Sequence, residues 1–433
     1  MAFLQDYTML DELGRGGFAS VYKVRHNDLG YVRAIRVLNE IIVAKRGEDP
    51  KQSKTYRKFL NECRVLLRLG NGNHPNIVHI YKPDLLENKA LVEMDFVDGQ
   101  DLLHYLKQND NFVPTDEVIR MARQISSALA YCHEDIYRYC MDRELDDLQD
   151  DPNDGSKVLM DDATRQRLID KYKVIHNDLH SGNIMRRENG DFVLLDFGLA
   201  INGDEVVLSS SRHANGAPEY KSPEKWDDDS TLTEQSDIYS FGIVLFQYIA
   251  GRVPFPYNAS SSGGFRAEAE LCRAHQEATP PSIEELRREV YERKYEGRTY
   301  SRDFPVWLEE AILKCLNKAP EDRFRNGKEL YEFIIAHTSP NNESDLSSTS
   351  VQSDSESEER IALLEKKLRQ ADDALSQARS EVRQLKLRIR ELEDSVAPPP
   401  PPQPPKPRFC RVCGNMLKPD AKFCNQCGTP INN

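Results

Sequence analysis

A chain of 433 residues exceeds one ordinary core, so two or more structural units are expected, one of them large enough for a two-lobed enzyme. The net charge of −13 is concentrated: residues 134–162 hold eleven Asp/Glu against three Lys/Arg, and residues 338–359 hold six acids and no base. The remainder is near neutral, which argues against a nucleic-acid-binding face and makes the basic cluster Lys45–Lys58 a solvated loop.

The N-terminus, MAFLQDYTML, carries Asp6 and no basic leader, and the longest apolar run, Phe241–Ala250, is far short of a membrane span. Neither secretion nor membrane insertion is expected. Up to about residue 95 the pattern is strand-like, with β-branched and aromatic runs at Ala19–Val24 and Arg33–Leu38 and one helical stretch at Thr55–Leu69. From Asp101 onward helical periodicity dominates, as in Thr115–His133 with Thr115 as N-cap, Ser236–Ala250 and Val306–Leu316. The expected class is α+β: a small β-rich lobe followed by a larger helical lobe.

Two parts of this region carry chemistry. In LGRGGFASVYKV, Gly14 and Gly16 sit in a turn between strands with Val21 just beyond. Glycines let backbone amides approach phosphates that a Cβ would repel, although alone the segment reads equally well as a plain glycine-rich hairpin. VIHNDLHSGNIM and VLLDFGLA then place Asp178, Asn183 and Asp196 within nineteen residues. That set suits one proton acceptor and two Mg²⁺ ligands.

Taken in chain order, these motifs make residues 7 to about 337 resemble the protein kinase family. The resemblance implies a two-lobed catalytic domain over residues 1–337 that uses ATP and Mg²⁺ to phosphorylate a protein substrate. Asp178 would accept the hydroxyl proton, Asn183 and Asp196 would hold Mg²⁺, and Gly14 and Gly16 would cover the phosphates. Val21 and Ala34 match positions that sandwich the adenine, and Met94, Asp95 and Val97 match the connection between lobes. Glu62, in FLNECRVLL, matches the helix carboxylate that orients the basic residue of the third strand, here Arg36. YKSPEKW resembles the end of an activation segment, Asp237 the brace of the catalytic loop, and Arg323 the partner of Glu224. HNDLHSGN looks somewhat like the loop of small-molecule kinases, but they lack the activation-segment and Arg323 pattern, so protein substrates are favoured.

Four positions depart from the family pattern. Arg36 stands where the strand lysine is usual, Asn177 where an arginine precedes the catalytic aspartate, His180 for the catalytic-loop lysine and Ala217 for a threonine. Arg36 keeps a positive charge on a longer, planar fork, with Lys23 as a conceivable substitute cation. Asn177 cannot pair with a phosphate, which argues that activity does not depend on activation-loop phosphorylation and leaves the serines at 209–211 as a turn. His180 and Ala217 leave the hydroxyl preference open, with Ser/Thr ahead of Tyr. A pseudokinase scaffold, binding nucleotide and partners without useful turnover, is the alternative. Residues 134–173 form an insertion, acidic at first and helical near Asp161–Lys173, read as a surface excursion or a docking element.

Beyond the catalytic region, residues 338–359 are Ser-rich and acidic and read as a disordered linker. Within residues 360–396, apolar positions from Ile361 to Leu392 recur at spacings of three and four, the seam of a coiled coil of about five heptads expected to form a homodimer. Residues 397–408 are a proline-rich spacer of roughly 30 Å. In residues 409–433, Cys410, Cys413, Cys424 and Cys427 form two CxxCG knuckles ten residues apart, resembling the zinc-ribbon family and implying a structural four-cysteine Zn²⁺ site. Two disulfides are the alternative. The other five of nine cysteines are scattered, which suits a reducing compartment and a cytoplasmic location. An unidentified protein is the expected partner of the ribbon, ahead of nucleic acid.

Overall fold

The computed structural model describes residues 6–15, 19–42, 53–70, 73–86, 88–140, 162–197, 200–202, 217–227, 230–257 and 264–339, with isolated positions elsewhere. Gly16, most of the acidic half of the insertion, the serines at 209–211, the linker beyond Ser339, nearly all of the coil and the proline spacer before Arg408 lie outside the described residues, and Thr338, expected to open the linker, instead ends a helix. Met1–Asp345 form one compact unit and Leu346–Asn433 a second.

In the first unit the strand-rich region folds as an antiparallel sheet of β1 (Tyr7–Arg15), β2 (Ala19–His26), β3 (Val32–Ile41), β4 (Ile80–Leu86) and β5 (Lys89–Asp95), ordered β1-β2-β3-β5-β4. Both strands anticipated from the sequence are present and run slightly longer than expected. Register fixes which side chains share a face: Val21 opposes Arg36, Lys23 opposes Ala34, and β3 in turn sets Ala34 against Met94 and Arg36 against Val92. Val24, Ile35 and Leu91 pack together as a separate buried cluster. Helix α1 (Lys54–Gly70) buries Tyr56, Phe59, Cys63, Leu66 and Leu69, a three-to-four spacing that lays one stripe against the core.

Short strands β6 (Gly99–Asp101), β7 (Val174–Ile175), β8 (Ile184–Arg187), β9 (Phe192–Leu194) and β10 (Ile201–Asn202) lie under this sheet; β6, β8 and β9 form a three-stranded sheet and β7 pairs with β10. The lobes are tied where Val78 N–H donates to Leu194 O at 3.0 Å, Leu194 N–H to Asn76 O at 2.8 Å, and Asn76 Nδ2 to Phe192 O at 2.7 Å.

The helical lobe comprises α2 (Leu102–Gln108), α3 (Thr115–Ala130), α4 (Asp162–Tyr172), α5 (Glu234–Ala250), α6 (Gly264–Glu277), α7 (Ile283–Lys294), α8 (Val306–Cys315) and α9 (Gly327–Thr338). Helix α5 is buried on every side from Ser236 to Ala250, as its nearly continuous apolar sequence requires. It stops at Gly251, whose φ of 81° and the Asn111 O that a Cβ would meet at 2.5 Å both demand glycine. Thr115 is not the N-cap of α3. Pro114 occupies that position, and the Thr115 hydroxyl accepts instead from the buried Arg287 at 3.2 Å. A π-helical turn, Tyr131–Asp135, continues α3 and carries His133 to 3.1 Å from Asp237. The insertion's anticipated helix is α4.

In the second unit β11 (Arg408–Phe409) pairs antiparallel with β12 (Met416–Leu417), and Phe423 bridges to Pro430. Cys410, Cys413 and Cys424 lie outside the described residues, and among those described no cluster of metal-binding side chains occurs. No helix among the described residues is long and apolar enough to cross a membrane.

Candidate active site

A cleft of about 480 Å³ lies between the sheet and the helical lobe. Val21, Ala34, Arg36 and Met94 reach it from the sheet, Asp95 and Val97 run along its edge, and Asn183 and Asp196 reach it from below. Gly14 also lines it, and a Cβ there would meet open space. Residues not picked out from sequence complete the walls: Leu66, Val78 and Ile80 at the back, Met185 and Leu195 beneath. Met185 was legible in principle, since it stands only two residues after Asn183. Asp101 and His104 also line the cleft; Asp101 caps α2 through His104 N–H at 2.9 Å and meets His104 Nδ1 at 2.5 Å.

The loop bearing Asp178 is shaped by the buried Asp237. Its two oxygens accept from His176 N–H at 2.6 Å and Asn177 N–H at 2.8 Å, and Oδ2 also meets His133 Nε2. Burial alone would push the Asp237 carboxyl up, but His133, His176 and Lys225 outweigh it and hold it below the ordinary carboxylate range. Asn177 takes φ of 64°, a left-handed conformation that asparagine tolerates better than most residues. The chain then turns so that Asn183 Nδ2 donates to Asp178 O at 2.8 Å and approaches Asp178 Oδ2 at 3.4 Å. This leaves the Asn183 amide oxygen as its acceptor toward the cleft.

Asp196, also at positive φ of 47°, is set beside this loop by Leu195 N–H donating to Asn183 O at 2.8 Å. His176 Nε2 lies 2.8 Å from Leu195 O, and its ring packs on Phe197 at 4.6 Å. Asn183 and Asp196 thus line the cleft as a hard oxygen donor pair that fits Mg²⁺, while Asp178, not among the lining residues, stands beside Asn183. The apolar remainder fits a flat heterocycle, and Arg36 brings a guanidinium to the same cleft, chemistry that suits a phosphate.

Arg36 Nη2 stands 3.4 Å from Asp196 Oδ1. Lys23 does not reach this end: its ammonium lies over the Phe96 ring at 4.0 Å, so it serves the connection between lobes and is no substitute for Arg36. Glu62 lies on α1, one turn before Leu66, and its side chain is outside the described part of the structure. His180 Nδ1 accepts from Gly182 N–H at 3.0 Å, which in the neutral ring leaves the proton on Nε2, 3.8 Å from Asp178 Oδ2. Burial lowers the His180 pKa against the pull of Asp178, favouring that neutral form. A Cβ on Gly182 would come within 3.0 Å of the imidazole, so the glycine makes room for the ring.

Below the cleft, Arg323 donates two bonds of 2.9 Å to Glu224, the pairing expected from the sequence. Burial works against the Glu224 carboxylate, but these bonds outweigh it and keep its pKa below the usual range. Tyr220 donates to Gln247 at 2.7 Å and Ser181 donates to the same oxygen, which ties the chain after Ala217 to the catalytic loop.

The sequence model of the protein kinase domain matches residues 7–140 and 167–332, and that of the zinc-ribbon domain matches residues 409–431. The probable serine/threonine-protein kinase PknB of Lactococcus lactis is 27% identical over 338 residues, 78% of this chain and 43% of that protein. The serine/threonine-protein kinase PrkC of Bacillus subtilis is 24% identical over 324 residues, 75% of this chain and 39% of its own length. The serine/threonine-protein kinase pkn3 of Myxococcus xanthus is 29% identical over 320 residues, covering 72% and 46% respectively. The chain thus spans less than half the length of these relatives. The break in the matched region falls within the insertion, and both flanks join in one cleft. Sheet, helical lobe and sequence model describe one domain, and the chain belongs to the protein kinase domain family.

Proposed function

We propose that this protein is an ATP- and Mg²⁺-dependent protein kinase that phosphorylates serine or threonine hydroxyls of a protein substrate. The observation that carries the reading is that Asn183, Asp196 and Arg36 line one nucleotide-sized cleft, with Asp178 held beside Asn183 and Arg36 beside Asp196. Asp178 accepts the proton of the attacking hydroxyl, while Asn183 Oδ1 and the Asp196 carboxylate hold Mg²⁺. When bound, Mg²⁺ neutralises charge on the phosphates. Arg36, oriented by Glu62, contacts the phosphates, Gly14 and Gly16 bring backbone amides to them, and Val21 and Ala34 cover the adenine. Met94 and the backbone of Asp95–Val97 receive its edge. The preference for serine and threonine over tyrosine draws support from the relatives, which carry that designation.

One observation favours the alternative of a scaffold without turnover: Arg36 approaches the same Asp196 that would bind Mg²⁺. Transfer of labelled γ-phosphate from Mg²⁺-ATP by the purified chain separates the two. Absence of transfer with retained nucleotide binding would establish the scaffold.

The C-terminal region is proposed to be an oligomerising and targeting arm in a cytoplasmic protein. Zinc should bind at one equivalent per chain through Cys410, Cys413, Cys424 and Cys427, and chelation should unfold the ribbon, whose core is too small to stand alone. Elemental analysis of reduced protein checks this; a zinc-free preparation with an intact ribbon excludes the site. The coil should make a fragment of residues 338–433 sediment as a dimer at tens of micromolar. A monomer at that concentration removes the oligomerising role, and the ribbon alone would then recruit the protein partner.

A further inference from the structure

Asn177 is held through both of its backbone groups. Asp237 takes the N–H groups of His176 and Asn177, and the Asn177 carbonyl accepts from Nζ of Lys225 at 2.8 Å. Lys225 belongs to a short 3₁₀ turn, Pro223–Trp226, at the end of the segment that follows Ala217. Its side chain is only 7% exposed.

Burying an ammonium is costly unless the charge meets a partner. The nearest carboxylates are committed elsewhere: Glu224 accepts from Arg323 and Ser236, and Asp237 from His133 and the two amides. Asp237, Glu224 and Asp178 still offset part of the cost through space, while burial and Lys221 lower the Lys225 pKa. A methionine or leucine would fill this space without that cost, so the ammonium is retained for what it holds. It holds the carbonyl immediately before the proposed catalytic aspartate.

We infer that Lys225 is a positioning residue for phosphotransfer, tying the segment beside the substrate to the Asn177–Asp178 peptide so that an internal cation, and not a phosphate, sets Asp178. Where a kinase of this family usually has an arginine, residue 177 is an asparagine unable to pair with a phosphate. The tether therefore runs in the opposite sense, from the segment's cation to the loop's carbonyl. Tyr220 and Ser181, meeting on Gln247, add a second tether between the same two segments. The inference rests on the kinase reading.

The test compares full-length wild-type protein with Lys225→Met, which keeps the length and apolar stem but removes donor and charge. We expect kcat to fall about 10- to 100-fold, the scale for displacing a catalytic group by an ångström or less, with KM for ATP unchanged. Hydrogen exchange of residues 174–185 should accelerate in the variant while the rest of the lobe keeps its protection. Phosphatase treatment of the wild type should leave kcat intact. Should the methionine variant not fold, Lys225→Gln carries the same comparison with a smaller expected drop, since its amide can still donate. Full kcat in either folded variant, unchanged exchange of residues 174–185, or loss of activity on dephosphorylation overturns the inference. If the wild type itself transfers no phosphate, the kinase reading fails, and the exchange measurement still decides whether the tether exists.

Discussion

Asp178→Asn should reduce phosphotransfer by about 10²–10⁴-fold, the contribution of a positioned general base, while leaving nucleotide affinity nearly unchanged. The substitution is close to isosteric, and the groups that shape the loop do not depend on the carboxylate. Asp237 holds the backbone at His176 and Asn177, and Asn183 donates to the Asp178 carbonyl. What is lost is proton acceptance. Asp196→Asn should also abolish useful transfer, by a different route: a neutral amide holds Mg²⁺ weakly, so the apparent Mg²⁺ requirement should rise steeply. Steady-state kinetics at varied Mg²⁺ distinguish the two, because excess Mg²⁺ can rescue part of the second loss and none of the first. Retention of full kcat by Asp178→Asn would remove that residue from the chemistry.

The lobes were legible because their periodicities differ. The short β-branched and aromatic runs of β2 and β3 and the continuous apolar run of α5 leave few other ways to bury those side chains. Asp178, Asn183 and Asp196 were legible for another reason: they lie close in sequence, and a local loop and strand end bring them together. The back of the cleft was not. Leu66, Val78 and Ile80 look like ordinary core residues until α1, β4 and the stretch before β4 are assembled around one space. Thr115 shows the limit of local capping rules. Pro114 has extended geometry that can precede a helix, and the threonine hydroxyl has a stronger use as an acceptor for Arg287, a residue far along the chain.

Lys225 was invisible for the same reason, being one more basic residue in a polar turn until its ammonium is found buried against Asn177. Lys23 erred in the opposite direction. Its register shares a face with Val21, which made it a candidate for the phosphate end, but the Phe96 ring captures it at the other end of the same face.

Arg36→Lys should leave kcat equal or lower if, as proposed, the site is a working kinase adjusted to a guanidinium. On the central strand, between Val21 and Val92, Arg36 reaches Asp196 at 3.4 Å. A lysine at this position carries its charge on a shorter stem as a compact ammonium, so it would sit farther from Asp196 and lose the second contact that a planar fork can make. In an adapted site that loss removes a charge-stabilising donor, a deficit of up to about 10²–10³-fold in rate. In a site that has decayed from a lysine ancestor the sign reverses. Arginine would then compete with Mg²⁺ for the Asp196 carboxylate, and the shorter ammonium would free that carboxylate and restore a feeble rate by up to the same factor. Calorimetry of Mg²⁺-ATP binding, run beside the rate measurement, gives the second coordinate. Adaptation predicts similar affinity with equal or lower kcat in the variant; decay predicts tighter Mg²⁺-dependent binding together with a higher rate. If neither form transfers phosphate while both bind nucleotide, Arg36 marks a scaffold in which the ion pair with Asp196 has replaced the metal site.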